Sequence, residues 1–173
     1  MTRFAAIAAA ALALALLTGC GGSGSGSSQQ TGSGETAIVS ADSLRETASE
    51  AATPIYWAGE QDGTELELSQ PDENRTFVRY LTGGAEAGDK RADFLTVGTY
   101  AQPNAVASLR RQSQRSGGTI SDAPGNATVY YDRASPGSVY LAYPSAEVEV
   151  EVFDPNFKRA LRLVESGEIV AVE

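Results

Sequence analysis

Residues 147–152, Glu-Val-Glu-Val-Glu-Val, alternate a carboxylate with a β-branched hydrocarbon through three full periods. Wound as a helix, that order would put valines on opposite sides of the cylinder. Laid out as a strand, it puts three carboxylates on one side and three valines on the other, because successive side chains point to opposite faces. A chain with such a segment needs a sheet with a dry face, and other elements must cover that face.

The rest of the chain supplies both parts. Residues 64–69 set Leu66 and Leu68 against Glu65 and Glu67, the pattern of a half-buried strand. Residues 75–81 put Phe77, Arg79 and Leu81 on one face and Val78 and Tyr80 on the other, and residues 93–101 continue as a longer strand. Shorter strands are expected at 54–59, 119–120, 127–132, 139–143 and 169–172. Pro71-Asp-Glu-Asn74, Pro124-Gly-Asn126 and Pro136-Gly137 read as turns, and residues 83–91 as a charged loop.

Three helices are expected. The first covers 40–52, with Ser40, Asp42 or Ser43 as its cap and Leu44 inward. The second starts at Pro103, turns Val106 and Leu109 inward and stops at Gly117-Gly118. The third is capped by Asp154, has Pro155 in its first turn, and carries Phe157, Ala160, Leu161 and Val164 at helical spacing. The expected fold is α+β: one antiparallel sheet of six to eight strands, with two or three helices packed on one face. A shift of 52 residues lays Pro103-Asn104 on Pro155-Asn156, Leu109-Arg110 on Leu161-Arg162, and Phe77–Arg79 on Val129–Tyr131. The chain therefore reads either as two β-β-β-α halves or as two strand-to-helix junctions built by the same local chemistry.

Ahead of this domain, Arg3 is followed by an uncharged Ala/Leu run from Phe4 to Leu17. As a helix that run spans roughly 21 Å, short of the ~30 Å hydrocarbon core of a bilayer but suited to an export signal. It ends in Leu17-Thr18-Gly19-Cys20, which resembles the lipobox of bacterial lipoproteins. The resemblance implies cleavage before Cys20, acylation of its sulfur and attachment to a membrane through acyl chains. Residues 1–19 are then signal peptide and 20–35 the lipidated cysteine with a Gly/Ser-rich tether, leaving 36–173 as a single α+β domain. A tether of this composition has an r.m.s. span of roughly 21 Å, so the domain can stand off the bilayer. Pro54-Ile-Tyr-Trp-Ala-Gly59, with residues 94–100 and 152–155, is similar to a group of uncharacterised actinobacterial lipoproteins that share a Pro-x-Tyr-Trp-x-Gly segment. That resemblance implies class and extracytoplasmic location only.

Composition narrows the chemistry. The net charge is −9, one unit more negative once Arg3 is removed, which argues against nucleic-acid partners and against adhesion to anionic lipid by charge. The one cysteine leaves no intramolecular disulfide, and the absence of histidine removes His-based triads, metal ligands and proton shuttles. No pattern points to a cofactor or a metal. Glu147, Glu149 and Glu151 could hold a hard cation or form an acid/base pair, and equally describe a solvated strand face. Tyr130, Tyr131, Tyr140, Tyr143 and Trp57 form the candidate binding surface, since neighbouring tyrosines on a strand must face opposite sides. The expected function is a non-catalytic binding or interaction module in the cell envelope. Its partners would be the membrane, through Cys20, and an envelope protein or polysaccharide. Two alternatives stand beside it: a carboxylate-dependent enzyme acting on envelope polysaccharide, and a structural partner of another envelope protein.

Overall fold

The computed structural model describes residues 36–134 and 136–173. The expected signal segment, Cys20 and the expected tether lie outside the described residues. In chain order the elements are β1 (Thr36–Val39), α1 (Ala41–Glu50), β2 (Tyr56–Trp57), β3 (Glu65–Asp72), β4 (Arg75–Leu81), β5 (Thr96–Ala101), α2 (Ala105–Ser116), β6 (Thr119–Ala123), β7 (Ala127–Tyr131), β8 (Ser138–Ala142), β9 (Val148–Phe153), α3 (Phe157–Glu165) and β10 (Val170–Ala171). Eight strands form one antiparallel sheet in the order β1-β3-β4-β5-β9-β8-β7-β6, and β10 pairs with β2 in a small second sheet. The fold is α+β, with the sheet at the upper end of the expected strand number.

From the seam between β5 and β9, the strands run outward in reverse chain order on both sides. Thr96 pairs with Phe153 and Ala101 with Val148, so a shift of 52 residues maps each pair onto the other and makes the seam a local two-fold. The 52-residue correspondence of the two Pro-Asn junctions therefore has a counterpart in space. It fails one strand further out. The shift lays Phe77–Arg79 of β4 on β7, whereas the strand that occupies the place of β4 beside the seam is β8. Connections of different length in the two halves cause this mismatch.

One face of the sheet is largely apolar from β1 to β7. Ala37, Leu68, Val78, Val97, Val152, Val139 and Tyr131 form a single cross-strand row on it. Leu44 of α1, Ala160, Leu163 and Val164 of α3, and Ile55, Tyr56 and Ile169 around the small sheet cover that row and complete the main core. Two helices, α1 and α3, share this face, as many as the sequence expectation required, and the third lies on the other. Ala105 and Leu109 of α2 pack on Tyr130 and Ala142, which point to the opposite side. The reason lies in β7: all five residues of Ala-Thr-Val-Tyr-Tyr are buried, so this strand needs cover on both faces.

Local differences have equally local causes. Ser40 caps α1 by accepting from the Ser43 N–H at 3.1 Å. Pro103 lies in a turn ahead of α2, and Asn104 in the left-handed region (φ 57°) starts the helix at Ala105. Asp154 is not the cap of α3; Asn156 holds that position. The Asp154 carboxylate instead accepts from the Asn156 N–H at 2.7 Å and from Arg159 at 3.1 Å, bracing the turn from one residue further back. The expected turn at 71–74 shrinks to Glu73-Asn74, because β3 continues to Asp72 across a register shift after Ser69. Strand β1 was not anticipated; it pairs residues 36–39 with β3 and closes that edge of the sheet.

Candidate functional site

The second face of the sheet is mixed, and its register shows how the groups on it meet. One cross-strand row reads Ser69, Phe77, Gly98, Glu151, Tyr140, Tyr130, Ile120. The neighbouring row reads Glu67, Arg79, Thr96, Phe153, Ser138. Helix α2 covers the Tyr130 end of the first row. The segment after β4, residues 82–94, covers the Glu67–Arg79 end of the second.

That segment is held by an ion pair. Glu67, expected to face water beside Glu65, is only 1 % exposed and accepts from Arg79 at 2.6 Å. Its other oxygen accepts from the Gly88 N–H, while Arg79 also donates to the carbonyls of Asp89 and Arg91. The Arg79 and Arg91 guanidinium groups each lie 5.2 Å from the Phe94 ring centre, and Phe94 packs with Leu81 and Ala85 in a small core of its own. Among the described residues no buried side-chain nitrogen or oxygen lacks a partner, these two included, as a buried charge requires.

Between α2 and this segment, β5 and β9 are only partly covered. A groove of about 320 Å³ runs there, within the size range of small-ligand sites. Phe77, Phe94, Phe153 and Gly98 supply its apolar surface, Glu151 its carboxylate, and Lys90 and Arg91 are the exposed cations on its lining. Gly98 is the reason the floor is low. A Cβ there would lie 3.1 Å from ring atoms of both Phe77 and Tyr100, which meet edge to face at 5.7 Å between centres.

Glu151 is fixed by hydroxyls. It accepts from Tyr100 at 2.6 Å, Ser138 at 2.6 Å and Tyr140 at 3.2 Å. Burial raises the Tyr140 phenol to about 12, with the Glu151 charge adding to the effect, and burial followed by the hydrogen bond to Glu151 raises Tyr100. Both phenols therefore remain protonated donors at any physiological pH. Glu149, two residues along the same face, has its pKa raised by burial first and by the Glu151 charge second. Glu147 precedes β9 and is exposed. The three carboxylates thus differ: one is solvated, one desolvated, and one built into the groove lining.

The five aromatic residues singled out in the sequence are divided among separate places. Tyr130 is 4 % exposed beneath α2 and meets the Ser116 hydroxyl at 2.9 Å. Tyr131 is equally buried on the other face, against Phe157. Trp57 is 6 % exposed in the main core, with Arg45 above its ring. Tyr143 stacks on Tyr56 and donates to the Ile169 carbonyl at 2.9 Å. Only Tyr140 reaches the groove region, through Glu151. Opposite orientation of Tyr130 and Tyr131 was read correctly; exposure did not follow from it, because both faces are covered at β7. The groove residues Phe77, Gly98 and Phe153 went unrecognised in the sequence. A lone glycine inside a strand pattern was the available signal, since it marks close approach of other groups. Compared with protein-family models, curated proteins and solved structures, the chain matches none of them.

Proposed function

We propose that the chain is a non-catalytic, membrane-anchored envelope lipoprotein whose domain binds a small ligand in the groove over β5 and β9. The anchor rests on the lipobox sequence ending at Cys20 and on the Gly/Ser-rich tether that follows. The binding part rests on one observation: an aromatic-lined cavity occupies the strip of the mixed face that neither α2 nor residues 82–94 fully cover. Its main polar group, Glu151, is held by three hydroxyl donors of the protein itself, an arrangement suited to a fixed recognition group rather than to proton exchange.

The alternative of an acid/base enzyme draws on Glu149 and Glu151, which share a face and differ in environment. The groove lining takes in Glu151 without Glu149, so the pair does not address one cavity. The alternative of a protein partner draws on exposed hydrocarbon. Among the described residues the large exposed hydrophobics are Ile38 and Val170, and neither lines the groove.

Two experiments test the proposal separately. Replacing Cys20 with Ser should block acylation and release the protein from membranes; continued membrane fractionation with normal processing would refute the anchor. Native mass spectrometry of the protein purified from its own envelope should show a co-purifying small molecule that the Gly98→Ala variant loses. Equal retention by Gly98→Ala would place the ligand elsewhere.

A further inference from the structure

The geometry points to an organic cation as the ligand: an ammonium group on a compact apolar or aromatic body, seated over Gly98 with its charge towards Glu151. This rests on the groove being a binding site, as proposed above, and adds the sign of the charge it takes.

The sign follows from an inventory of the charges around the groove. Glu151 lines the cavity, yet its three hydrogen-bond partners are neutral hydroxyls. Among the described residues, no arginine or lysine lies in ion-pair reach of it. The cations nearby are mostly spent within the protein. Arg79 belongs to Glu67, and Arg91 is held by Asp89 at 2.7 Å with Asp93 at 3.9 Å. Lys90 alone enters none of these pairs, and it is exposed. Glu149 adds a second carboxylate on the same strand face, and among the described residues it too is in no ion pair. A half-buried carboxylate without a cation is costly to desolvate, and a ligand that supplies the missing positive charge relieves that cost.

The rest of the lining fits the same class. Phe77 and Phe153 are half-buried and offer ring surface to the cavity, and Tyr100 and Tyr140 bring two more rings around the carboxylate. Aromatic rings grouped near a carboxylate attract alkylated ammonium ions more than a single carboxylate in water can. A small molecule suits the site better than a protein side chain. The cavity volume is at the low end for ligand pockets, and the large exposed hydrophobics among the described residues do not line it.

The test uses three probes of one shape and different charge on the purified full chain: benzyltrimethylammonium, neopentylbenzene and phenylmethanesulfonate. Amide chemical shifts at Gly98, Glu151 and Phe153 report occupancy. The cation should move these amides and bind at least about tenfold tighter than either isostere. Glu151→Gln should remove that preference, and Lys90→Glu, an exposed change, should tighten the cation by about threefold. If the neutral or anionic probe binds these amides as well as the cation, the charge assignment is wrong while the groove stands as a site. If no probe moves them at millimolar concentration, both the groove and the charge assignment fail. Should Glu151→Gln not fold, Lys90→Glu decides: unchanged or weaker cation binding overturns the inference.

Discussion

The two ends of the mixed sheet face are closed by different chemistry, and the groove is what remains between them. At the β7–β8 end, α2 lays Ala105 and Leu109 on Tyr130 and Ala142, an apolar contact of the ordinary helix-on-sheet kind. At the β3–β4 end, an irregular segment is tied down by Glu67, Arg79 and backbone groups around them. A local two-fold relates β5 and β9, so the two covers would be equivalent if the symmetry extended to them. It does not, because α2 and α3 leave their strands for opposite faces. Broken symmetry leaves β5 and β9 half open at the middle of the sheet, where both ends contribute side chains to one cavity.

The polar lock should prove the more fragile cover. Glu67→Ala strips the partner from a mostly buried guanidinium and should cost about 3–5 kcal/mol, read by urea denaturation. The double change Glu67→Leu with Arg79→Met should recover most of that loss, since an apolar pair leaves no orphaned charge. A double variant as unstable as Glu67→Ala would mean that packing of the segment, rather than its charge, is what was lost. At the other end, Leu109→Ala should cost about 2–4 kcal/mol by cavity formation, and no second polar substitution should rescue it. If Leu109→Ala proved the more damaging of the two, the contrast between the ends would be reversed.

How much of this was legible in the sequence divides along the same line. Strands and helices with a clean period were readable, and α1, α3 and the 147–152 strand fall close to where their patterns place them. Covers were not. Alternation puts Glu67 opposite Leu66 and Leu68 but cannot tell a solvated carboxylate from one met by an arginine on the next strand. Residues 127–131 are hydrophobic on both sides, which signals cover on both faces, yet no local pattern says that α2 supplies it. Strand β1 is four residues of mixed character, held by its pairing with β3 and by Val39 against the core. The groove joins Phe77, Gly98 and Phe153 from three strands, and their meeting is set by register across the seam, which the sequence does not print.

Gly98 tests the seam itself. Gly98→Ala puts a methyl 3.1 Å from the Phe77 and Tyr100 rings, so one ring must move or the strand must shift. The expected cost is about 1–3 kcal/mol, smaller than either cover variant, with loss of the groove as the main effect. The Tyr100 ring carries a donor to Glu151, so a shift there should also show as a lowered Tyr100 pKa in ultraviolet titration. Stability lost with an unchanged Tyr100 titration would mean that Phe77 gave way instead.

The smallest effect belongs to the outer part of the polar cover, and it is seen only as a pH dependence. Arg91 holds the Asp89 carboxylate well below its usual range, at about 2, through side-chain and backbone hydrogen bonds. A carboxylate whose pKa is lowered by folding stabilises the native state above its unfolded value, and that contribution is lost as pH falls through the folded one. Asp89 should therefore add to stability at pH 5 and above, progressively less between about pH 4 and 2, and nothing below. Both partners are partly exposed, so the contribution is small and should weaken further in high salt. Asp89→Asn should flatten the stability profile across that interval while leaving the value below pH 2 unchanged. The control is Asp72, whose pKa is lowered mainly by Arg75 on the β3–β4 turn, away from the groove. Asp72→Asn should flatten the same interval without altering the amide shifts of Lys90 and Arg91, whereas Asp89→Asn should move both. If the two variants perturb the groove amides alike, the loop carrying Lys90 is held by its backbone and Glu67 alone, and Arg91 has no part in closing that end.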